Sequence, residues 1–293
     1  MSPRGERADF GFRVLAGLVP AEMYASAPLE ALKAQAVTAR AELFSKVGKR
    51  HLSDPYLVCG HQHCQVYKGA GVNRKSTDKA VAQTRGQMLF KGQRLADARY
   101  HSTCGGHTED GDYVWTGNES DELKGTTDLV KPGDLDLGKE DEARVFIDNK
   151  PDSYCARSGK TARTLRWTVE LSQKELDGRL NKKYDLGTVK SIVPLSRGVS
   201  GRIGKLKVIG SRRAVTINGE LVIRRAFGGL KSSQFYVIAP NRANGNKWQI
   251  RGGGFGHGAG MCQNGAAGMA LGGFDFKAIL KHYFKGVSVK QIY

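Results

Sequence analysis

Apolar residues return every three or four positions from Leu29 through Leu32, Ala36 and Ala39 to Leu43, whereas from 166 to 217 they alternate with polar residues or gather in short β-rich runs. A spacing near 3.6 commits a segment to one helix face, and a spacing of two commits it to one face of a sheet. One chain carrying both periods in separate blocks predicts an α+β fold. Pro28 suits the first position of the helix, where its missing N–H costs nothing, and the helix is expected to end near Gly48. In the β-rich block, strands are expected at 166–171, 192–195, 206–209, 214–217 and 221–224, with Asn218-Gly219 as a hairpin turn. Ser172 and Glu175 form a capping box that starts a short helix.

The remaining elements follow from the same signals. Strands are expected at 11–20 and 65–67, a helical turn at 78–84 and a hairpin at 87–90 and 94–100 around Lys91-Gly92. Two helices are expected at 263–271 and 276–284. Chemistry-bearing loops lie in the first hundred residues and again in the last forty, so both chain ends are expected to build one mixed catalytic core. That core comprises 10–123 and 240–293, with a mostly β subdomain, 124–239, inserted into it.

At 293 residues the chain can bury a core without covalent staples, as one large domain or two modest ones. It has no apolar run near the ~20 residues that span a bilayer. The charged opening stretch, 1–9, shows no signal peptide. A net charge of +18 raises nucleic acid as a partner, but the charge is unevenly spread. Twelve acidic residues face three lysines in 109–142, which reads as an exposed connection, while twelve basic residues face only Glu220 in 197–251. No nucleic-acid motif accompanies the basic stretch, and its cations alternate with Val and Ile as on the wet face of a sheet. Nucleic acid is therefore not expected. An anionic wall polymer, lipid headgroups or plain solvent suits that face better.

Five cysteines, 59, 64, 104, 155 and 262, leave at least one free, bound to metal or paired between chains. Cys59-Gly-His-Gln-His63-Cys64 packs two thiols and two imidazoles into six residues, a donor set that suits zinc. A short disulfide loop is the alternative. Tyr100-His-Ser-Thr-Cys104-Gly-Gly-His-Thr-Glu109 is a glycine-bearing loop rich in catalytic residue types. Near the end, 251–265 runs Arg-Gly-Gly-Gly-Phe-Gly-His257-Gly-Ala-Gly-Met-Cys-Gln263-Asn-Gly. It lacks the Gly-Lys-Ser/Thr of a phosphate loop and the setting of a dinucleotide fingerprint. Such a backbone approaches a ligand closely, with His257 and Gln263 as polar handles.

Three ordered segments together resemble the stage II sporulation protein D family (SpoIID/LytB domain). They are Val19-Pro-Ala-Glu22-Met23 with Glu30-Ala-Leu-Lys33-Ala-Gln-Ala-Val-Thr-Ala-Arg40, then His63 to Tyr67 with Ser102 to Glu109, then Gly254 to Gln263 with Tyr283 to Gly286. The resemblance covers nearly the whole chain. It implies a lytic transglycosylase that cleaves peptidoglycan glycan strands between muramic acid and glucosamine to give anhydro-muramic ends. Glu22 matches the family's catalytic acid, and one carboxyl suffices because the muramic acid's own hydroxyl attacks. Lys33 and Arg40 match positions near that acid and are expected to orient it or grip the strand, since a cation beside it would lower its pKa.

Gln65, Tyr100, Thr108, Trp115, His257 and Gln263 are the expected sugar contacts, with Trp115 as a stacking platform. Cys59, His63 and Cys64 match a structural zinc site, with His51 or His61 as the remaining ligand, His51 being favoured. Cys104 and Cys155 are a candidate disulfide, in keeping with the extracytoplasmic, envelope or periplasmic, location that the family implies. Phe255 stands where the family often has Trp, and Cys262-Gln263-Asn264 replaces Ser-Gln-aromatic, which touches substrate preference more than reaction type. The competing expectation is a non-catalytic protein that binds wall glycan or regulates another wall enzyme.

Overall fold

The computed structural model describes residues 3–61, 63–117 and 120–293, so residues 1 and 2 of the polar opening stretch lie outside the described residues. Helices and strands in several small sheets make a mixed α+β fold, as the change of period predicts. The chain divides into two compact units.

The first unit comprises Met1–Tyr100, Ser120–Leu123 and Ala266–Tyr293. Its centre is the helix Leu29–Lys46, with Pro28 as N-cap and Ala31, Leu32, Ala34, Ala36, Val37, Ala39 and Leu43 among its buried residues. Small side chains on most of its faces let neighbours approach all round, which is why this helix is buried rather than amphipathic. The strand Gln87–Lys91 pairs antiparallel with Ser288–Gln291 on one side and Arg94–Leu95 on the other, so the chain's end closes a sheet begun near residue 90.

The segment 11–20, expected as a strand, lies inside the helix Pro3–Glu22. Leu15, Leu18 and Val19 are buried three to four residues apart, a helical spacing that the interspersed glycines and alanines obscured. Gly17 lets another part of the unit come close: a Cβ there would lie 2.5 Å from the Tyr67 ring and 2.8 Å from the Gly69 carbonyl oxygen. Residues 65–67, also expected as a strand, form none.

The second unit comprises His101–Glu119 and Lys124–Gly265 and so takes in 101–119 and 240–265, which the sequence reading placed with the first. Two three-stranded antiparallel sheets carry it: Arg166–Leu171, Trp248–Gly253 and Phe235–Ile238 in one, Val189–Arg197, Ile203–Gly210 and Ala214–Asn218 in the other. Their core is Trp167, Leu171, Leu206, Val208, Ile217, Phe227, Phe235 and Ile250. The Ser172–Glu175 capping box forms as expected.

Residues 221–224, expected as a strand, are helical within Glu220–Ala226. Gly219, at φ 91°, breaks the strand, and the Glu220–Arg224 ion pair one turn apart supports the helix. Nor is 109–142 merely exposed connection, because Glu109, Glu122 and Asp128 are fully buried. Part of the charge asymmetry is internal: Arg197 pairs with Glu140, and Arg202 is fully buried. Lys205 and Lys207 do alternate outward between buried Leu206 and Val208. No described helix is long and apolar enough to cross a membrane.

Candidate active site

Glu22 is the last residue of its helix and half-buried. Its Oε1 accepts the Val66 N–H at 3.0 Å, and the Tyr100 hydroxyl also bonds the carboxylate. Burial pushes the Glu22 carboxyl above the ordinary carboxylate range; the charge of Glu42 adds to that, while the Val66 and Tyr100 bonds and the charge of Lys46 oppose it. Glu42 is itself held, by Lys46 Nζ at 2.6 Å and by Gln65 Nε2 at 2.9 Å. The result is one carboxyl biased toward its acid form beside a second that is neutralised by its own cation.

The expected helpers are distributed differently. Lys33 pairs with Glu30 at 2.6 Å, and the cation that Glu22 senses is Lys46. Arg40 is 1% exposed, donates to the Gln87 carbonyl at 2.8 Å and bonds Tyr293. Burial lowers its pKa to about 10. As it stands, Arg40 fastens a helix to a strand and offers no face to a glycan. Gln65 is buried, its amide donating to the Ala39 carbonyl at 3.1 Å as well as to Glu42. Tyr100 serves Glu22 rather than open solvent. Glu42 and Lys46 were missed, because an acid–lysine pair one turn apart on a helix ordinarily belongs to the wet surface.

Beside Val66 stands the Cys/His group. Ligand atoms of His51, Cys59, His63 and Cys64 all lie within 4.8 Å of one another. His51 Nε2 is 3.3 Å from Cys64 Sγ and 3.2 Å from His63 Nδ1. On its other ring nitrogen, His51 bonds Asp54 at 2.7 Å, the carboxylate–histidine arrangement that orients a metal ligand. His61 is not part of the group. Two sulfurs and two imidazoles fit tetrahedral Zn²⁺ and fill all four positions, so this donor set is that of a structural site.

In the second unit, the Trp115 ring lies 4.8 Å from that of His257, which lies 5.5 Å from that of His101. The Ala259 N–H donates to His257 Nδ1 at 3.1 Å, fixing the ring. Trp115 and His257 are both half-buried, and Phe255 is 41% exposed, so aromatic surface is available for sugar faces. Thr108 is 1% exposed, its hydroxyl accepting the Thr126 N–H at 2.7 Å, which makes it a structural bond. Gln263 begins the helix Gln263–Leu271 and is 8% exposed. Glu109 is fully buried against the Ser200 hydroxyl at 2.6 Å, and burial pushes its pKa up to about 7.

The profile of the stage II sporulation protein family (SpoIID) matches residues 13–90, which contain Glu22, the long helix and the Cys/His group. Stage II sporulation protein D of Bacillus amyloliquefaciens is 27% identical over 289 residues, covering 94% of this chain and 72% of that one. Residues 13–90 are a SpoIID family domain. The resemblance drawn from its motifs is thereby borne out.

Two further relatives are each 30% identical: the amidase enhancer of Bacillus subtilis (strain 168), covering 94% of this chain, and an uncharacterized protein of Brachyspira hyodysenteriae, covering 93%. The chain spans 40% of the length of the amidase enhancer and 64% of the Brachyspira protein. Residues 109–260 match a domain of unknown function (DUF8618), so the chain carries its SpoIID match and that domain in succession.

Proposed function

We propose that this protein is a lytic transglycosylase of peptidoglycan, with Glu22 as general acid and then base. The observation that carries the reading is the environment of Glu22: its carboxyl is biased toward protonation while the neighbouring Glu42 stays paired with Lys46. A hydrolase needs a second free carboxylate to manage water. A transglycosylase does not. Glu22 gives its proton to the glycosidic oxygen as the bond to the muramic acid's anomeric carbon breaks. The C6 hydroxyl of the same sugar then bonds that carbon and returns a proton to Glu22, leaving an anhydro end and a regenerated acid.

His51, Cys59, His63 and Cys64 would hold a Zn²⁺ ion that ties the 51–64 loop and takes no part in the bond cleavage. Cys64 stands two residues before Val66, whose N–H holds Glu22. The Cys64 carbonyl also accepts Lys46, which pairs with Glu42. Trp115 and His257 are assigned to the sugar faces, Lys33 to the support of Glu30, and Lys205 and Lys207 to anionic wall polymers. The substrate places the protein outside the cytoplasm, in the envelope or periplasm.

The name of the amidase enhancer relative favours a second reading, in which the protein binds wall glycan and modulates another enzyme. Mass spectrometry of digested glycan strands separates the two. Anhydro-muramic ends support the transglycosylase, reducing ends mean hydrolysis, and intact strands mean a binder.

A further inference from the structure

A second set of converging ligands lies inside the second unit. Cys104 precedes the Gly105-Gly106 turn, Cys155 lies on the short helix Tyr154–Arg157, and Cys262 ends the strand Met261–Cys262. With Asp128 they bring three sulfurs and a carboxylate within 4.8 Å of one another, and all four residues are fully buried. We propose that Cys104, Cys155, Cys262 and Asp128 bind a second, structural Zn²⁺, separate from the Cys/His site.

Geometry and charge both favour metal. Cys104 and Cys155 sulfurs are 3.7 Å apart as free thiols. Zn–S bonds of about 2.3 Å at tetrahedral angles separate two sulfurs by about 3.8 Å. Backbone N–H groups already aim at the sulfurs: those of Cys104 and Gly265 at Cys262 Sγ, each at 3.2 Å, and that of Gly106 at Cys104 Sγ, at 3.4 Å. Such donors stabilise thiolates. The Asp128 carboxylate is oriented by the Cys155 N–H at 2.8 Å, the outer bond that a ligating carboxylate commonly has.

Three thiolates and a carboxylate around Zn²⁺ leave two negative charges, a heavy cost in a dry interior unless cations stand close. Two do. Arg202 donates to the Cys104 carbonyl at 3.1 Å, and Arg166 donates to the Gly105 carbonyl at 2.9 Å. Arg166 spends its other bonds on the carbonyls of Phe146, Ile147 and Leu165, neutral partners that leave its charge available. Four protein ligands leave no open position, so the metal's role is to pin the 104–109 and 257–265 loops, the latter bearing His257.

Native mass spectrometry of the full chain, purified without chelator, tests this. Wild type is expected to carry about two zinc ions, Cys262→Ser about one, and Cys59→Ser about one. Alkylation mapping on wild type avoids reliance on variants that fold poorly: Cys104, Cys155 and Cys262 should become reactive only after a strong chelator. Zinc content unchanged by Cys262→Ser, thiol reactivity unchanged by chelator, or recovery of a Cys104–Cys155 disulfide overturns the proposal. Loss of zinc on Cys59→Ser alone reports on the Cys/His site and leaves the two ideas distinguishable.

Discussion

The Val66 N–H donates to Glu22 Oε1 at 3.0 Å, two residues after a cysteine whose sulfur lies 3.3 Å from His51. Through that bond a metal-sized knot of side chains reaches the one carboxyl that the proposed chemistry uses. Removing the knot should therefore be felt at the carboxyl. Cys64→Ser, or dialysis against chelator, is expected to lower turnover on glycan by at least about tenfold, the range typical of lost metal-site support. Rate and zinc content measured on the same samples check it; full activity in zinc-free protein would separate the loop from catalysis.

The acid limb of the reaction carries a sign that Glu42 sets. Burial and the Glu42 charge both raise the Glu22 pKa, so the active, protonated form persists to higher pH than for an ordinary carboxylate, and the rate falls as pH rises through the raised value. Glu42→Gln removes one of the two causes. The alkaline limb of the kcat profile should then move to lower pH. Freeing Lys46 from its pair acts in the same direction, so a shift to higher pH would contradict this account.

Arg40 is 1% exposed and bonded to Gln87 and Tyr293, which makes it part of the framework. Arg40→Met is expected to cost on the order of 2–3 kcal/mol of stability, the usual loss when a buried hydrogen-bonded network is broken. Denaturant unfolding measures it. Glycan affinity of the protein that remains folded should be unchanged, whereas a gripping role would weaken it.

Trp115 and His257, with ring centres 4.8 Å apart, form the proposed sugar platform. Trp115→Ala should weaken strand binding by about 1 kcal/mol, roughly fivefold in Kd, with little change in kcat. Titration calorimetry with a soluble glycan fragment checks the split.

Much of this was legible because local physics decided it. The 29–46 helix, the Ser172–Glu175 cap and the 87–95 hairpin follow from period, capping chemistry and a turn glycine. His51 stands apart from Cys59, His63 and Cys64 in sequence yet converges with them, and Glu22 is a candidate through its motif alone. Segments 11–20 and 221–224 were misread because small or β-branched residues satisfy two periods over a few positions, and tertiary burial chose the helix. The burial of Arg40 was not legible, because a long cation on a helix ordinarily reaches water, while here small neighbours let other chain segments cover it. The Cys104, Asp128, Cys155 and Cys262 group left no local trace. Its members meet only after four segments distant in sequence fold together.

The central claim is that Glu22 is the acid, and Glu22→Gln tests it most directly. The amide keeps the shape and much of the bonding to Val66 and Tyr100 but transfers no proton. Because burial disfavours the ionised form that wild type must adopt as pH rises through its raised pKa, the variant should unfold at a slightly higher temperature than wild type above that pKa, the gap closing as the wild-type carboxyl protonates. Release of anhydro-muramic products, followed by mass spectrometry, should fall by at least about 10²–10⁴-fold with strand binding retained. A folded Glu22→Gln protein that releases those products at the wild-type rate would contradict the account.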